Sequence, residues 1–588
     1  MPKPPKDIKP LLRYFVMLFK LHVTGKNDPS DSVRVIPVLE KATGESIYEF
    51  KMRYRSAWKS RRMSIEPLGE KVESKSRCYK VIYDDTLVIK IPPRPITDFS
   101  AYLEQIKREH AIVRRIQKSI PCVYPQISAI LKKVPVIRIP SYVAPEDAEK
   151  EYIDILSKDT GLQDYLKIGE GFVFFMTLSK YRFFNQVIEL IHHALDNTRH
   201  EIIKNGPQAI SDYLVFESLY GSINDRTYYE IHDLVESYEQ AVGNAVSQAG
   251  IQCSIPQFRM QEWLFSHIAG MPPECGTKDL PETLSNDIER ITRKLVRGKK
   301  PAVEDFRKMV YKVAKNKNFY SNRGRMKGLV INILELLYRL KKRRVAIRDL
   351  KPDNMFVAAF LDGKDHILTN PEAYDLGLID METALCFKPD KNGRIRQPLL
   401  AGTPSYATPS HIFGNKVLRA IYGADELPRI FFLQDMQAAL VMIFRVVTGR
   451  ALFVNAGRLM LETSHIKKKN IADFDALLKV YRNANRTFWK TASSEFIEKT
   501  KKYRHRLDDV DIDLPRHPKS LLISEYQHEF ERMGGSKDKT TEEVYQRTLE
   551  SLEEPVSCLF LITFLFNRVF SAMYRPAWGK APIEAGRP

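Results

Sequence analysis

The chain has 588 residues, more than a single hydrophobic core usually accommodates, so its length predicts roughly two to four domains. Apolar residues make up 44% of the sequence and charged residues 28%, which excludes a disordered, a collagen-like or a disulfide-stapled chain. The formal net charge of +20 favours anionic partners, such as nucleotides, nucleic acid or acidic lipid, without choosing among them.

The first 62 residues are predicted to be an extension of the folded domains. An apolar stretch from Leu11 to Val23 is interrupted by Arg13 and Lys20, and no cleavage site of small residues follows it, so we expect no secretory signal. The basic run at 51–62 is interpreted either as a solvated flank that packs one face on the next domain or as an arm that docks on anions or membranes. The six cysteines form no C-x-x-C pair, which argues against a local zinc site and favours a reducing, cytoplasmic location.

Five later segments have the apolar periodicity of regular secondary structure. They are two strands at 78–83 and 86–91 that form a hairpin, a helix at 102–117, a strand at 171–177 and a buried helix at 328–340. Residues 190–325 are predicted to be a helical insertion that carries no chemical motif. Near the other end, 556–566 is apolar but much shorter than the roughly 20 residues that span a bilayer, so we predict a buried helix, with a tail anchor or interfacial helix as the alternative.

The residues that bear on chemistry begin directly after the 328–340 helix. The run from Arg348 to Asn354 reads Arg-Asp-Leu-Lys-Pro-Asp-Asn, with a strand-like segment after it. This motif resembles the catalytic loop of eukaryotic-type protein kinases, a family in which catalysis is mainly positioning and charge neutralisation. The resemblance implies that Asp349 orients the acceptor hydroxyl, that Lys351 lies near the γ-phosphate and that Asn354 holds a Mg²⁺ ion.

A second segment, 378–384, resembles the metal-binding segment of the same family. It makes Asp380 the candidate ligand of Mg²⁺ or Mn²⁺, with Met381 in place of the usual aromatic residue. Glu382 replaces the family's glycine and adds a second negative charge beside the metal. A rival ligand is Asp375, which begins an Asp-Leu-Gly triplet, but the apolar run that leads into Asp380 favours the later aspartate.

The family's spacing also assigns the phosphate anchors upstream. Lys90, at the end of the second hairpin strand, would hold the α- and β-phosphates of ATP, and Glu109 on the following helix would pair with it. Glu104 is the other carboxylate on that helix, but the residues after Glu109 are closer to the family pattern. The phosphate-covering loop is the weakest match, because 67–77 keeps only Gly69 of the family's three glycines; its basic side chains either replace the missing amides or are simply solvated.

The segment that follows the metal site departs from the family in ways that bear on regulation. Thr403, together with Lys351, resembles the serine/threonine branch. Ser410 stands where a glutamate usually pairs with a buried arginine, so that ion pair is expected to be missing or rebuilt. Asp435, on a long apolar helix, would cap the backbone of the catalytic loop. Residues 384–402 contain no Ser, Thr or Tyr, which predicts activation without phosphorylation of this stretch.

Taken as a whole, the resemblance implies an α+β, two-lobed kinase-like fold with a small lobe of β-sheet and helix, a mainly helical larger lobe and a large helical insertion. The expected domains are an N-terminal basic and amphipathic extension (1–62), the small lobe and hinge (63–189), the insertion (190–325), the helical lobe (326–500) and a C-terminal helical extension (501–588).

The implied activity is ATP-dependent transfer of a phosphoryl group to serine or threonine hydroxyls of a protein substrate. Two alternatives are a pseudokinase, which is a nucleotide-binding scaffold with little or no turnover, and a small-molecule kinase. Binding to nucleic acid or to an anionic membrane surface through the basic segments would be an addition to any of these activities.

Overall fold

The structure is a computed structural model, and its described residues fall into two compact units. It describes residues 8–26, 32–40, 45–68, 77–135, 137, 139, 143–178, 181–193, 195–250, 255–271, 280–359, 365–391, 393–397, 399–400, 402–469, 473–532 and 539–574. The larger unit comprises Met1–Val187 and Arg325–Pro588, and the smaller unit comprises Ile188–Gly324. Strands concentrate near the N-terminus and helices elsewhere, so the α+β class is confirmed.

The first part of the larger unit contains most of the strands. Its elements are α1 (Lys9–Thr24), β1 (Arg34–Glu40), β2 (Ser46–Tyr54), β3 (Ala57–Leu68), β4 (Arg77–Tyr83), β5 (Asp85–Ile91), α2 (Phe99–Ile116), β6 (Cys122–Val123), α3 (Ser128–Leu131), α4 (Pro145–Lys158), β7 (Lys167–Ile168), β8 (Gly171–Phe172), β9 (Phe174–Leu178), β10 (Arg182–Phe183) and α5 (Phe184–His192).

Six of these strands form one antiparallel sheet in the order β1-β2-β3-β4-β5-β9. Buried and half-exposed residues alternate along β2 and β4, as expected where one face of a sheet covers a core. Helix α1 belongs to that core, because Leu11, Phe15 and Leu18 are buried in the same apolar cluster as the sheet. The basic run at 51–62 lies in the β2–β3 hairpin, so this part of the predicted extension is built into the sheet.

The predicted hairpin at 78–91 is confirmed and it fixes the position of Lys90. Strands β4 and β5 pair with Cys78 opposite Lys90, and Asp84 makes the turn with a φ of 77°. On its other side β5 pairs with β9, which sets Lys90 opposite Phe174. Lys90 therefore lies on an inner strand of the sheet, and α2, capped by Asp98, follows closely along the chain.

The smaller unit is helical and has a core of its own. Its helices are α6 (Leu195–Ser211), α7 (Tyr213–Tyr220), α8 (Asp225–Gln248), α9 (Gln257–Ala269) and α10 (Glu282–Gly298), and α11 (Lys300–Arg343) begins in it. Ile231, Tyr238, Leu264 and Phe306 are among the buried residues of its apolar cluster. An independent cluster of this size is typical of a segment that folds as a separate unit.

The last part of the larger unit is mainly helical. Its elements are β11 (Val345–Ala346), β12 (Met355–Ala358), β13 (Asp375–Ile379), β14 (Leu385–Cys386), α12 (Asn415–Tyr422), α13 (Leu427–Thr448), α14 (Asn455–Lys469), α15 (Phe474–Lys502), α16 (Arg504–Asp508), β15 (Asp511–Ile512), α17 (Arg516–Arg532), α18 (Lys539–Ser551), β16 (Val556–Ser557) and α19 (Cys558–Tyr574).

Two apolar helices lie in the centre of this part. Helix α13 is the one described helix that is long and apolar enough to cross a membrane, and 94% of its apolar window is buried inside the protein. Helix α19 is shorter and also largely buried, with Phe566 stacked on Phe496 at a ring-centroid distance of 4.2 Å. The prediction of a buried helix near 556–566 is therefore confirmed.

Short strands bring two loops of the larger unit side by side. Strands β12 and β13 are antiparallel, with Met355 opposite Leu378, and β11 and β14 pair with Ala346 opposite Leu385. The loop between β11 and β12 and the turn between β13 and β14 are thus held at both ends by two ladders. These two loops carry the residues that resemble a catalytic site.

Candidate active site

A buried carboxylate fixes the backbone at the start of the loop at 347–354. Asp435 on α13 accepts hydrogen bonds from the backbone N–H groups of Ile347 and Arg348, both at 2.7 Å. Arg348 has a φ of 67°, a strained conformation for a residue with a side chain. Burial raises the pKa of Asp435 to about 7, although the two N–H groups oppose that rise. The predicted capping role of Asp435 is confirmed.

The loop residues form one hydrogen-bond network with Thr403. Asp349 Oδ1 accepts hydrogen bonds from the backbone N–H and from the hydroxyl of Thr403, both at 2.8 Å. Asn354 Nδ2 donates to the carbonyl of Asp349 at 2.9 Å and to its Oδ2 at 3.1 Å. Lys351 Nζ donates to the same Thr403 hydroxyl at 2.9 Å and lies 3.4 Å from Asp349 Oδ2. The network holds a hydroxyl between a carboxylate and an ammonium group.

Lys90 meets two carboxylates of the turn after β13. Its Nζ lies 2.7 Å from Asp380 Oδ1 and 2.6 Å from Glu382 Oε2, and its side chain is 2% exposed. Burial alone would lower the pKa of Lys90, but Asp380, Glu109 and Glu382 more than compensate and raise it well above its usual value. Lys90 is therefore a cation held inside the protein.

The turn that carries Asp380 is tightly bent. Asp380 has a φ of 62°. Burial would raise the pKa of Asp380, but the charge and hydrogen bond of Lys90, the charge of Lys351 and the backbone N–H of Glu382 together outweigh it, and the pKa is lowered. The rival Asp375 lies elsewhere, because Arg339 Nη1 on α11 donates to it at 2.7 Å. Of the two aspartates, Asp380 is the one beside Lys90.

Glu109 is buried near this turn without an ion pair to Lys90. The described ion pairs of Lys90 go to Asp380 and Glu382, and none goes to Glu109. Glu109 is 3% exposed, and its Oε2 has no hydrogen-bond partner among the described residues. Burial raises the pKa of Glu109 to about 8, although the charge of Lys90 and the backbone N–H of Met381 oppose that rise. The predicted Lys90–Glu109 pair is thus replaced here by pairs to the turn.

Lys90, Asp380 and part of the Thr403 network line one cleft with an empty volume of about 670 Å³. Its polar lining residues are Lys90, Lys351, Asp353, Asn354, Asp380, Thr403 and Arg445. Its apolar and weakly polar lining residues are Leu68, Cys78, Val88, Met176, Phe183, Ile379 and Tyr406. A cleft that combines an apolar surface with convergent charged groups is typical of a small-molecule site.

Gly69 lies outside the described residues, so the structure gives no view of the predicted phosphate-covering loop. Leu68 and Cys78, which pair across β3 and β4, both line the cleft. Burial raises the pKa of the Cys78 thiol to about 12. A thiol with such a pKa is not a nucleophile at neutral pH, so Cys78 is a packing group of the cleft.

Arg348 is satisfied by neutral groups. Its guanidinium donates to Gln434 Oε1 at 2.9 Å and to the carbonyls of Leu399 at 2.6 Å and His411 at 3.0 Å. Gln434 Nε2 in turn donates to the hydroxyl of Ser410 at 2.8 Å. Burial lowers the pKa of Arg348 to about 10. Ser410 joins the same neutral hydrogen-bond network as Arg348 through Gln434, and the described ion pairs include none at this position.

Sequence reasoning missed Gln434 and Arg445. Gln434 precedes Asp435 on α13, and its amide has no motif that distinguishes it from a surface residue. Arg445, on the same helix, donates to the Tyr406 hydroxyl and to Asn185 Oδ1, both at 2.8 Å. Both are polar residues within a long, almost wholly buried apolar helix, and that contrast was the available signal.

Oxygen atoms suited to a divalent cation are present in the cleft. Asp380 offers a carboxylate and Asn354 an amide oxygen that its hydrogen bonds to Asp349 do not use, and Mg²⁺ prefers oxygen ligands. A separate trio in the smaller unit, His232, Asp233 and Glu236, is largely exposed and is a weak candidate for any metal. Comparison of the chain with protein-family models, curated proteins and solved structures finds no match.

Proposed function

We propose that the protein is a kinase-like phosphotransferase with a two-lobed arrangement of sheet and helices around the cleft. The proposed reaction moves the γ-phosphoryl group of Mg-ATP to a serine or threonine hydroxyl of a protein substrate. One observation carries the proposal: Lys90, the 351–354 segment and Asp380, which are far apart in sequence, line the same cleft.

The acceptor hydroxyl would attack the γ-phosphorus, and the bond from that phosphorus to the bridging oxygen would break to release ADP. Asp349 would take the hydroxyl proton. The hydrogen bond from the Thr403 hydroxyl supports this role, because Asp349 already accepts from an alcohol at 2.8 Å. Lys351, which donates to the same hydroxyl, would stabilise charge on the transferred group.

Charge supports the binding of a polyphosphate. The carboxylates around Lys90 and Lys351 raise the pKa of both side chains although burial opposes the rise, so both are cations at neutral pH. Asp380, with its lowered pKa, is ionised there. Asp380 and Asn354 would hold Mg²⁺ or Mn²⁺, which neutralises phosphate charge when bound. A polyphosphate with its metal would complete this balance of charges.

A nucleotide-binding scaffold with little turnover is the second candidate. The pair between Lys90 and Glu382 favours it, because phosphates that bind Lys90 would compete with a carboxylate 2.6 Å away. Thermal stabilisation by ATP without transfer is the expected behaviour of such a scaffold.

The deciding experiment measures transfer from γ-labelled ATP with Mg²⁺ or Mn²⁺, to the protein itself and to generic basic substrates. We expect label on serine or threonine with the wild type and none with Asp349→Asn. Asp375→Asn is the matched control, because Asp375 pairs with Arg339 away from the cleft lining. Equal transfer by Asp349→Asn would contradict the assignment of Asp349. If the wild type transfers nothing but ATP raises its Tm, the scaffold is favoured.

A further inference from the structure

The contacts of Lys90 are unusual for the arrangement that the sequence predicts. A carboxylate from the helix after the strand was expected to hold this lysine, but both of its ion pairs reach the turn after β13. The pair to Glu382 is the shorter of the two, at 2.6 Å. Glu382 is 39% exposed at its side chain, so it reaches the buried ammonium group from the edge of the site.

Glu109 is buried but makes no described ion pair with Lys90. It is 3% exposed, and its Oε2 has no hydrogen-bond partner among the described residues. Met381, the residue between the two carboxylates that hold Lys90, is itself buried. The turn therefore supplies both carboxylates that pair with Lys90, and the helix that carries Glu109 supplies none.

We propose that Glu382 is the positioning residue that orients Lys90 toward the phosphates of the nucleotide, in the place that the sequence assigns to Glu109. This inference rests on the proposed function. It assigns a role to the residue that replaces the glycine of the kinase metal-binding segment, and it moves the ion pair from a helix to the turn that carries the metal ligand.

A second carboxylate has a physical reason, because Asp380 would have to ligate a cation and pair with Lys90 at the same time. A carboxylate that ligates a cation has less negative charge to offer a neighbouring ammonium group. Glu382 would keep Lys90 paired when Asp380 is engaged, and a buried lysine without such a pair is strongly disfavoured. The substitution of glycine by glutamate then preserves the lysine's function.

The test compares Glu382→Gln, Glu382→Asp and Glu109→Gln with the exposed control Glu104→Gln, which pairs only with Arg108 on the same helix among the described ion pairs. We expect Glu382→Gln to lower kcat/KM for ATP about tenfold or more, mainly through KM. Glu382→Asp should keep part of the kcat/KM that Glu382→Gln loses, because aspartate retains the negative charge on a shorter side chain. Glu109→Gln should lower kcat/KM less than Glu382→Gln, because the described ion pairs of Lys90 do not include Glu109.

A second measurement does not depend on activity. Lys90→Met is combined with Glu382→Gln and, separately, with Glu109→Gln, and the Tm of each variant is recorded. If Glu382 is the partner of Lys90, its substitution lowers Tm in the wild type and has little further effect in the Lys90→Met background. A purely structural role would lower Tm equally in both backgrounds and would overturn the inference.

The outcomes separate this inference from the proposed function. A higher kcat in Glu382→Gln would make Glu382 a competitor of the phosphates and would overturn the positioning role. If Glu109→Gln lowers kcat/KM more than Glu382→Gln does, the partner of Lys90 is Glu109 on the helix. The proposed kinase function would still stand. If the wild type neither binds nor turns over ATP, the proposed function fails, and the Tm cycle alone still decides whether Lys90 and Glu382 are coupled.

Discussion

The hydroxyl of Thr403 donates a hydrogen bond of 2.8 Å to Asp349 and thereby joins the segment after the proposed metal site to the loop proposed to perform catalysis. The backbone N–H of Thr403 donates to the same oxygen at the same distance. The two bonds hold the carboxylate in one orientation, so Thr403 governs the geometry of the proposed general base.

The first prediction concerns this contact. Thr403→Val should lower kcat about tenfold or more while an ATP-induced rise in Tm persists, because the valine keeps the shape and the backbone bond but removes the hydroxyl. Thr403→Ser retains the hydroxyl and should keep most of the activity. Steady-state kinetics with thermal shift checks both variants, and equal losses for valine and serine would contradict the role of the hydroxyl.

The second prediction concerns the two aspartates near the metal site. Asp380→Asn should abolish most of the transfer, because it removes the charged ligand. The transfer that remains should no longer depend on Mg²⁺ or Mn²⁺. Asp375→Asn should keep metal-dependent activity, since Asp375 contacts Arg339 on α11. Transfer rates over a metal titration measure both, and the reverse result would make Asp375 the metal ligand.

The third prediction concerns pH and Glu109. The pKa of Glu109 is raised to about 8 in the folded protein, so the folded state binds more protons than the unfolded state between about pH 4.5 and pH 8. The stability of the wild type relative to Glu109→Gln should therefore fall as pH rises through this window, by at most about 1.4 kcal/mol per pH unit. Urea denaturation of both proteins across the window measures it. A difference that rises with pH would mean that Glu109 is ionised in the folded state.

The fourth prediction concerns activation. Arg348 donates to Gln434 and to two carbonyls, so its guanidinium is already satisfied without a phosphate. Protein treated with a phosphatase, and shown by mass spectrometry to carry no phosphate, should transfer at a rate within about twofold of the untreated protein. A large loss of activity on treatment would show that a phosphorylated residue elsewhere controls the site.

Local patterns in the sequence were sufficient for the individual elements. Alternating β-branched residues predicted the hairpin at 78–91, and helical spacing predicted the helix that begins at Phe99, three residues before the predicted start at 102. The cap that Asp435 provides was also predicted, from the resemblance of its helix to the long central helix of the kinase family.

Contacts that depend on the relative placement of elements could not be predicted from local sequence patterns. The basic run at 51–62 alternates too weakly to reveal that β2 and β3 continue the sheet, because much of its exposed face is charged. The choice of Glu382 over Glu109 by Lys90 depends on the bend at Asp380, where a residue with a side chain adopts a positive φ. Residue spacing contains no information about such a bend.

The separation between Lys90 and Asp380 has a consequence for how the protein is made. All six strands of the large sheet lie within the first 178 residues, so the sheet can form early in synthesis, whereas Asp380 emerges 290 residues after Lys90. At about 5–20 residues per second, the ribosome needs roughly 15–60 seconds to supply that partner. In the part of this interval that follows the synthesis of Leu178, a nascent sheet would carry an unpaired lysine at a position that is 2% exposed in the folded protein. Newly made chains would therefore pass through a stage in which the half-built cleft attracts other anions before its own carboxylates arrive.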